Sequence, residues 1–258
     1  MPRKAGSPPN SRGLYSNRMK IRELLLPTAL TLMGVALLAG LGTWQLQRLS
    51  WKQGLIQRVE TRSEATPVSL TQALGLWRET EDVEYLRVAL EGRFRHGGEQ
   101  HLYTIVEGKP GWRVVTPFET VSGMWVMVDR GFVPPNLKAV ETRPAGQIEG
   151  VVKLTGLARA PGIPGSFTPA NQPDQNKWYG RDLGAMAGVA LGLQERSRLA
   201  PFFVEAEQMA LPGGWPKGST TRLKFSNRHL EYAFTWFALA AVLVVFYVIF
   251  LRNRLRRE

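Results

Sequence analysis

Two uncharged stretches decide what this chain can fold into. Leu24–Thr43 reads LLLPTALTLMGVALLAGLGT and Tyr232–Leu251 reads YAFTWFALAAVLVVFYVIFL, each 20 residues without a charge. As a helix, about 20 residues reach roughly 30 Å, the thickness of the hydrocarbon core of a bilayer. In lipid the backbone must satisfy its own hydrogen bonds, and a helix does so within the segment. Both stretches are therefore expected to be transmembrane helices. A buried helix of a soluble protein is the rival for the second, but Arg252, Arg254, Arg256 and Arg257 follow it directly. A cleaved signal peptide is the rival for the first. Its apolar run is long for that, and the chain continues into a tryptophan-bearing amphipathic stretch without a clear small-x-small site.

The charge falls into place around these spans. The formal net charge is +12. Residues 1–23 contribute +5 and residues 252–258 contribute +3, so two thirds of the excess sits on two short tails. The positive-inside rule places both tails in the cytoplasm and the 44–231 segment outside, whose length makes its own mild basicity irrelevant to crossing. The basic residues are then topogenic, and no nucleic-acid-binding pattern accompanies them. The organisation expected is a basic tail (1–23), a first span (24–43), an extramembrane domain (44–231), a second span (232–251) and a basic tail (252–258). The first 22 residues, rich in Pro, Ser, Gly and Arg, read as a disordered tail, with a mitochondrial presequence as the rival because no acid precedes Glu23.

After the first span, Trp44, Trp51, Leu55 and Val59 recur at helical spacing, so the helix is expected to continue out of the bilayer with Trp44 and Trp51 as its interfacial belt. The pattern then changes to period two. Glu84–Phe94 alternates as a half-buried strand, with Leu86, Val88, Leu90, Gly92 and Phe94 on one side. Further strands are expected at His101–Glu107, Trp112–Glu119, Met124–Gly131, Val151–Ala160 and Pro201–Glu207, separated by tight turns that imply antiparallel pairing. Asp182–Leu191 reads as a short helix capped by Asp182. The fold class is thus an α+β membrane protein: two transmembrane helices flanking a small antiparallel β-rich extramembrane domain with a few helices.

The chain has no cysteine, which removes disulfides, thiolate metal sites and cysteine nucleophiles. It has three histidines, His96, His101 and His229. There is no P-loop, no dinucleotide fingerprint, no G-x-S-x-G and no H-E-x-x-H, and the chain is not expected to be an enzyme. His96 and His101 lie five apart across a hairpin and read as solvated polar residues at its end. Asp129-Arg130-Gly131 reads as a strand end with a local ion pair. Trp178–Asp182 (WYGRD) reads either as a binding patch or as a helix start with an aromatic anchor.

His229 stands apart. It lies just before the second span, in Asn227–Phe237 (NRHLEYAFTWF), and on a helix it shares a stripe with Tyr232 and Trp236. An imidazole at a membrane edge is a functional candidate by default and a common haem-iron ligand. The plainer reading is an interfacial histidine bonded to the first helix.

Four segments resemble the surfeit locus protein 1 family of cytochrome c oxidase assembly factors: Gly42–Lys52 (GTWQLQRLSWK), Glu84–Phe94 (EYLRVALEGRF), Val128–Pro134 (VDRGFVP) and Asn227–Phe237. The G-x-W-Q and H-x-x-Y-A-x-T-W ends, around a loop of this size, carry the resemblance. It implies a protein of the bacterial inner membrane, or of the mitochondrial inner membrane in a eukaryote, that binds haem a transiently and assists its insertion into oxidase subunit I. It implies His229 as the axial ligand of the haem iron, with Tyr232 and Trp236 beside the macrocycle. Trp44, Arg48 and Trp51 are expected to position the helices or the partner. Subunit I is the implied partner, with haem a synthase as a further one. A structural chaperone that holds subunit I open without binding haem is the alternative.

Overall fold

The structure is a computed structural model that describes residues 12–162, 165–209, 211–218 and 228–256, with the side chains of the first helix described from Leu24 onward. The chain divides into two compact units. One comprises residues 1–55 with 226–258, the other residues 56–225.

The first unit is a helical hairpin. Helix α1 runs from Arg12 to Glu64, passing into the second unit, and helix α4 from His229 to Arg256. Both are long and apolar enough to cross a membrane. Helix starts therefore precede the first expected span: Arg12–Glu23, read as part of a disordered tail, is helical. On α4 the residues facing α1 follow a three-four spacing, 233, 237, 240, 243 and 247. The Thr28 and Tyr247 hydroxyls meet, Gly34 faces Leu243, and Gly42 faces Phe237. Ala233 and Ala240 are the buried residues of α4. Small residues let two backbones approach where lipid offers no hydrophobic drive to association. A Cβ at Gly42 would stand 2.7 Å from the Phe237 ring, so the glycine of the G-x-W-Q segment is a packing requirement. The outward residues, among them Leu25, Leu32, Phe234 and Phe246, are exposed and apolar, as lipid contact requires.

The second unit is a closed β-barrel with helices on its outside. Its strands are β1 (Val68–Ser69), β2 (Arg87–Phe94), β3 (Gln100–Val106), β4 (Lys109–Thr120), β5 (Trp125–Val133), β6 (Val152–Arg159) and β7 (Leu199–Ala206). The order β2-β6-β7-β5-β4 closes on itself because β2 also pairs with β4, Phe94 opposite Phe118. This is the strand order of OB-type barrels. β1 and β3 extend it at either side. Tight turns suggested an antiparallel sheet throughout, and most pairs obey that. The exceptions are β1 with β2 and β5 with β7, both parallel, with Val128 opposite Val204 in the second. Strands from distant parts of the chain meet there, so no turn residue signals the pairing.

The barrel interior holds Val88, Leu90, Phe118, Val126, Val128, Leu154, Phe202 and Val204. Helix α2 (Leu70–Thr80) packs on this core through Leu70 and Ala73, and Trp77 meets Phe202 at 6.0 Å between ring centroids. Its start is a capping box: Gln72 N–H donates to Ser69 Oγ at 3.3 Å and Ser69 N–H donates to Gln72 Oε1 at 2.9 Å. A second cluster lies outside the barrel wall. There helix α3 (Leu183–Leu191), capped by Asp182 as expected, packs Leu183, Met186 and Ala187 with Trp178 on Val115, Met127 and Phe203.

Candidate functional site

In the helical hairpin, the first turn of α4 places His229 against α1. Its Nδ1 lies 2.7 Å from Oε1 of Gln45. The amide oxygen can only accept, so Nδ1 is the donor of this contact. A carbonyl that fixes the tautomer and aim of an imidazole is the usual second partner of a metal-bound histidine. Trp236 lies two turns along the same buried face of α4, half-buried. Tyr232 lies on the flank and is 54% exposed. His229 and Trp236 therefore share the face toward α1, and Tyr232 borders it from the lipid side.

On α1, Trp44 and Trp51 are 51% and 59% exposed. The Arg48 guanidinium lies over the Trp51 ring, 4.6 Å from its centroid. These three residues form an outward ledge within two turns of Gln45, with Trp51 stacked by a cation. Val59, expected on the same stripe, is instead buried in the second unit.

The barrel holds the other two histidines; both are hydrogen-bonded into it, His101 buried and His96 half-buried. His101 is buried, its Nε2 2.8 Å from Glu99 Oε1, and Arg143 closes on the same carboxylate with Nη1 at 3.1 Å from Oε2. Burial works against the Glu99 charge, but His101 and Arg143 outweigh it and hold its pKa below the ordinary value. His96 Nε2 lies 2.8 Å from the Ile148 carbonyl oxygen and must donate to it, so Nδ1 accepts from Arg130 Nη1 at 3.4 Å. The hairpin end they occupy is covered by the 137–148 segment, whose role was not visible in its own pattern. Asp129 and Arg130 do not pair with each other either. They point to opposite faces of β5, Asp129 to Arg113 of β4 and Arg130 to the Gly146 carbonyl and the face of Phe94. Arg130 is fully buried, and burial lowers its pKa to about 10.

A SURF1 family model matches residues 32–241, which include the inner ends of both apolar runs, the barrel and the first half of α4's apolar run. The chain belongs to the SURF1 family. Surfeit locus protein 1 of Homo sapiens is 40% identical over 220 residues, 78% of this chain and 70% of the human one. The Xenopus tropicalis protein of the same name is 35% identical over 236 residues, 85% of this chain and 73% of its own. The SURF1-like protein of Monosiga brevicollis is 34% identical over 228 residues, 83% of each chain. The family resemblance drawn from four segments holds over most of the chain.

In this SURF1-family chain the residue that sequence reasoning missed at the hairpin is Gln45. It sits inside the quoted G-x-W-Q segment, and a polar side chain at the end of an apolar run was its only signal. Of the basic residues that precede α4, Arg222 and Lys224 lie outside the described residues, whereas Arg228 is exposed just before the helix. Among the described residues no group of three or more His, Asp or Glu could hold a metal ion.

His96 gives the barrel an acid limit. Burial lowers its pKa, and the charge of Arg130 adds to the effect against the pull of the Ile148 carbonyl. The unfolded chain, with an ordinary histidine pKa of about 6.5, therefore binds more protons than the folded one as pH falls below that value. The contribution is fully present above about pH 6.5 and is lost as pH drops through the lowered folded pKa. The thermal midpoint of the detergent-solubilised protein is expected to be lower at pH 5.5 than at pH 7.5. His96→Gln, which cannot take a proton, should shrink that difference. An equal difference in parent and variant would remove His96 from the acid limit.

Proposed function

We propose that this chain is a cytochrome c oxidase assembly factor that binds haem a transiently and assists its insertion into subunit I. The observation that carries the reading is the Gln45–His229 contact at the start of α4. It gives a membrane-edge imidazole the tautomer that a ligand histidine needs, on the residue to which the family resemblance assigns that role. The donor set fits the group. A haem iron, when bound, supplies an axial coordination position for a neutral imidazole nitrogen. His229 would offer Nε2, Gln45 would hold the ring's orientation, and Tyr232 and Trp236 would cover apolar ring surface. The exposed Trp44–Arg48–Trp51 ledge would position the hairpin against subunit I or haem a synthase. The chemistry asked of the protein is binding and hand-over, with no bond in the porphyrin made or broken, so the chain is not read as an enzyme.

The membrane is that of respiratory oxidases, the bacterial inner membrane or its mitochondrial counterpart, with both termini on the cytoplasmic or matrix side. Ten Lys/Arg in the two tails support that orientation. In a bacterial host a C-terminal alkaline phosphatase fusion is expected to be inactive and one placed at Gly150 active. The reverse pattern would overturn the orientation.

The test of the function is the visible spectrum of the purified protein from cells that make haem a. A Soret band lost with His229 supports the reading. A colourless parent protein supports the structural chaperone that holds subunit I open without haem.

A further inference from the structure

Three carboxylates and three arginines gather on the outer wall of the barrel, and their hydrogen bonds do not close. Arg113 bonds both Asp129 Oδ2 and Glu205 Oε1. Arg159 takes Glu205 Oε2 at 3.0 Å and Glu84 Oε1 at 2.8 Å. The remaining two oxygens go to the backbone: Ala160 N–H donates to Glu84 Oε2 at 2.8 Å and Gly131 N–H to Asp129 Oδ1 at 3.0 Å. All six carboxylate oxygens are engaged before Arg181 is reached. The charges cancel, yet the third cation has no acceptor for its fork among the described residues. Burial lowers the Arg181 pKa, and Arg159 lowers it further.

Arg181 does not face a wall. It lines a cavity of about 200 Å³ with Tyr103, Tyr179 and Thr168. The two tyrosine rings lie 5.8 Å apart, centroid to centroid. Pockets for drug-sized ligands begin at about 300 Å³, so this one takes a single side chain rather than a cofactor. A guanidinium donates two parallel bonds to a carboxylate, and a partly desolvated one gains most from doing so. Exposed apolar side chains follow the lining residues along the chain: Tyr103, which lines the cavity, is 38% exposed, Ile105, two residues on along the same face of β3, is 61% exposed, and Phe167, next in sequence to Thr168, is wholly exposed. A free acid would leave these side chains uncovered, whereas a chain carrying the acid would cover them.

We propose that Arg181, with Tyr103 and Tyr179, is a docking site for an aspartate or glutamate side chain of a partner protein, whose flanking residues lie on Tyr103, Ile105 and Phe167. The site gives a function to the WYGRD segment: Trp178 anchors it in the outer core, Tyr179 and Arg181 face the cavity, and Asp182 starts α3. It does not depend on haem binding by the hairpin.

The test uses the full-length protein in detergent with 3-fluorotyrosine, its ¹⁹F signals assigned from Tyr103→Phe and Tyr179→Phe. N-acetylglutamate methylamide should shift the Tyr103 and Tyr179 signals saturably, half-maximal at about 1–10 mM, the range of a single small contact. The neutral N-acetylglutamine methylamide should leave them unmoved. Arg181→Gln should abolish the response and Arg181→Lys, which keeps the charge and loses the fork, should weaken it about tenfold. The lysine variant carries the test if the glutamine variant fails to fold. No saturable shift, an equal response to the glutamine probe, or a full response in a folded Arg181 variant overturns the site. A photo-crosslinking residue at Phe167 in growing cells distinguishes the source. An adduct lost in Arg181→Lys supports a protein partner. A shift with no such adduct assigns the site to a free small acid and overturns the docking claim.

Discussion

Replacing His229 by alanine is expected to strip haem a from the purified protein while the helical hairpin remains inserted. The substitution removes the imidazole and its contact with Gln45, but not the interhelical packing of Gly34, Gly42, Ala233 and Ala240 on which the hairpin rests. Haem content per inserted protein is the measurement, because oxidase yield would also fall for a misfolded variant. Gln45→Ala provides a graded companion. It leaves the ring but releases its tautomer and aim, a change that costs a metal ligand about 10–100-fold in affinity. His96 and His101 are imperfect silent controls, since both are hydrogen-bonded into the barrel. Their alanine variants should lower thermal stability and keep haem per folded protein at the parental level. If His229→Ala retains haem a at that level, the ligand assignment is wrong and the haem-free chaperone becomes the better account.

Gly92→Ala should be among the most damaging single methyl additions in the barrel. Gly92 lies opposite Thr120 of β4 on one side and Val152 of β6 on the other, at the seam where the barrel closes. A Cβ built there meets the Glu119 carbonyl oxygen at 2.0 Å, a backbone atom that cannot move aside without parting β2 from β4. Overpacking of this kind costs about 1–3 kcal/mol, occasionally more, against a net domain stability of roughly 5–15 kcal/mol. A loss at the upper end, about 3 kcal/mol, is expected here because ladder hydrogen bonds go with the contact. It should appear as a fall of several degrees in the midpoint of the near-ultraviolet circular dichroism signal. Gly97→Ala, whose Cβ would meet nothing within 4 Å, should stay within about 0.5 kcal/mol of the parent. An unchanged midpoint for Gly92→Ala would show that the seam is not closed as described.

What could be read from the sequence was what repeats over a short distance. The spans announce themselves by length, and the alternation of Val88, Leu90 and Gly92 matches the buried face of β2. Asp182 was recognisable as a cap because a cap is local. Helix α2 escaped notice although its Ser69–Gln72 capping box lies in plain view, since the short stretch after it mixes glycine and threonine into a weak pattern. Closure of the barrel and the parallel β5–β7 pair are long-range facts with no local signature. The same holds for charge. Arg130 was assigned to its neighbour Asp129, but adjacent strand residues face opposite ways, and each found its partner on another strand or loop. At the hairpin, His229 could be singled out as a costly group in an apolar setting. Gln45, its partner 184 residues earlier, could not.

The place of β7 in the sheet sets a timetable for synthesis. Among the described residues it is the last strand in the chain, yet it lies between β5 and β6 in the sheet. A ribosome that has delivered everything through Arg198 has produced β5 and β6 with bare hydrogen-bonding edges, and only Leu199–Ala206 can fill the gap. Non-local pairings of this kind form slowly and leave unpaired edges open to aggregation meanwhile. A premature stop anywhere before Leu199 therefore yields an unfinished sheet rather than a smaller barrel. Such a product belongs to the quality-control proteases, and early truncations of this chain are null alleles of quantity before they are lesions of any site.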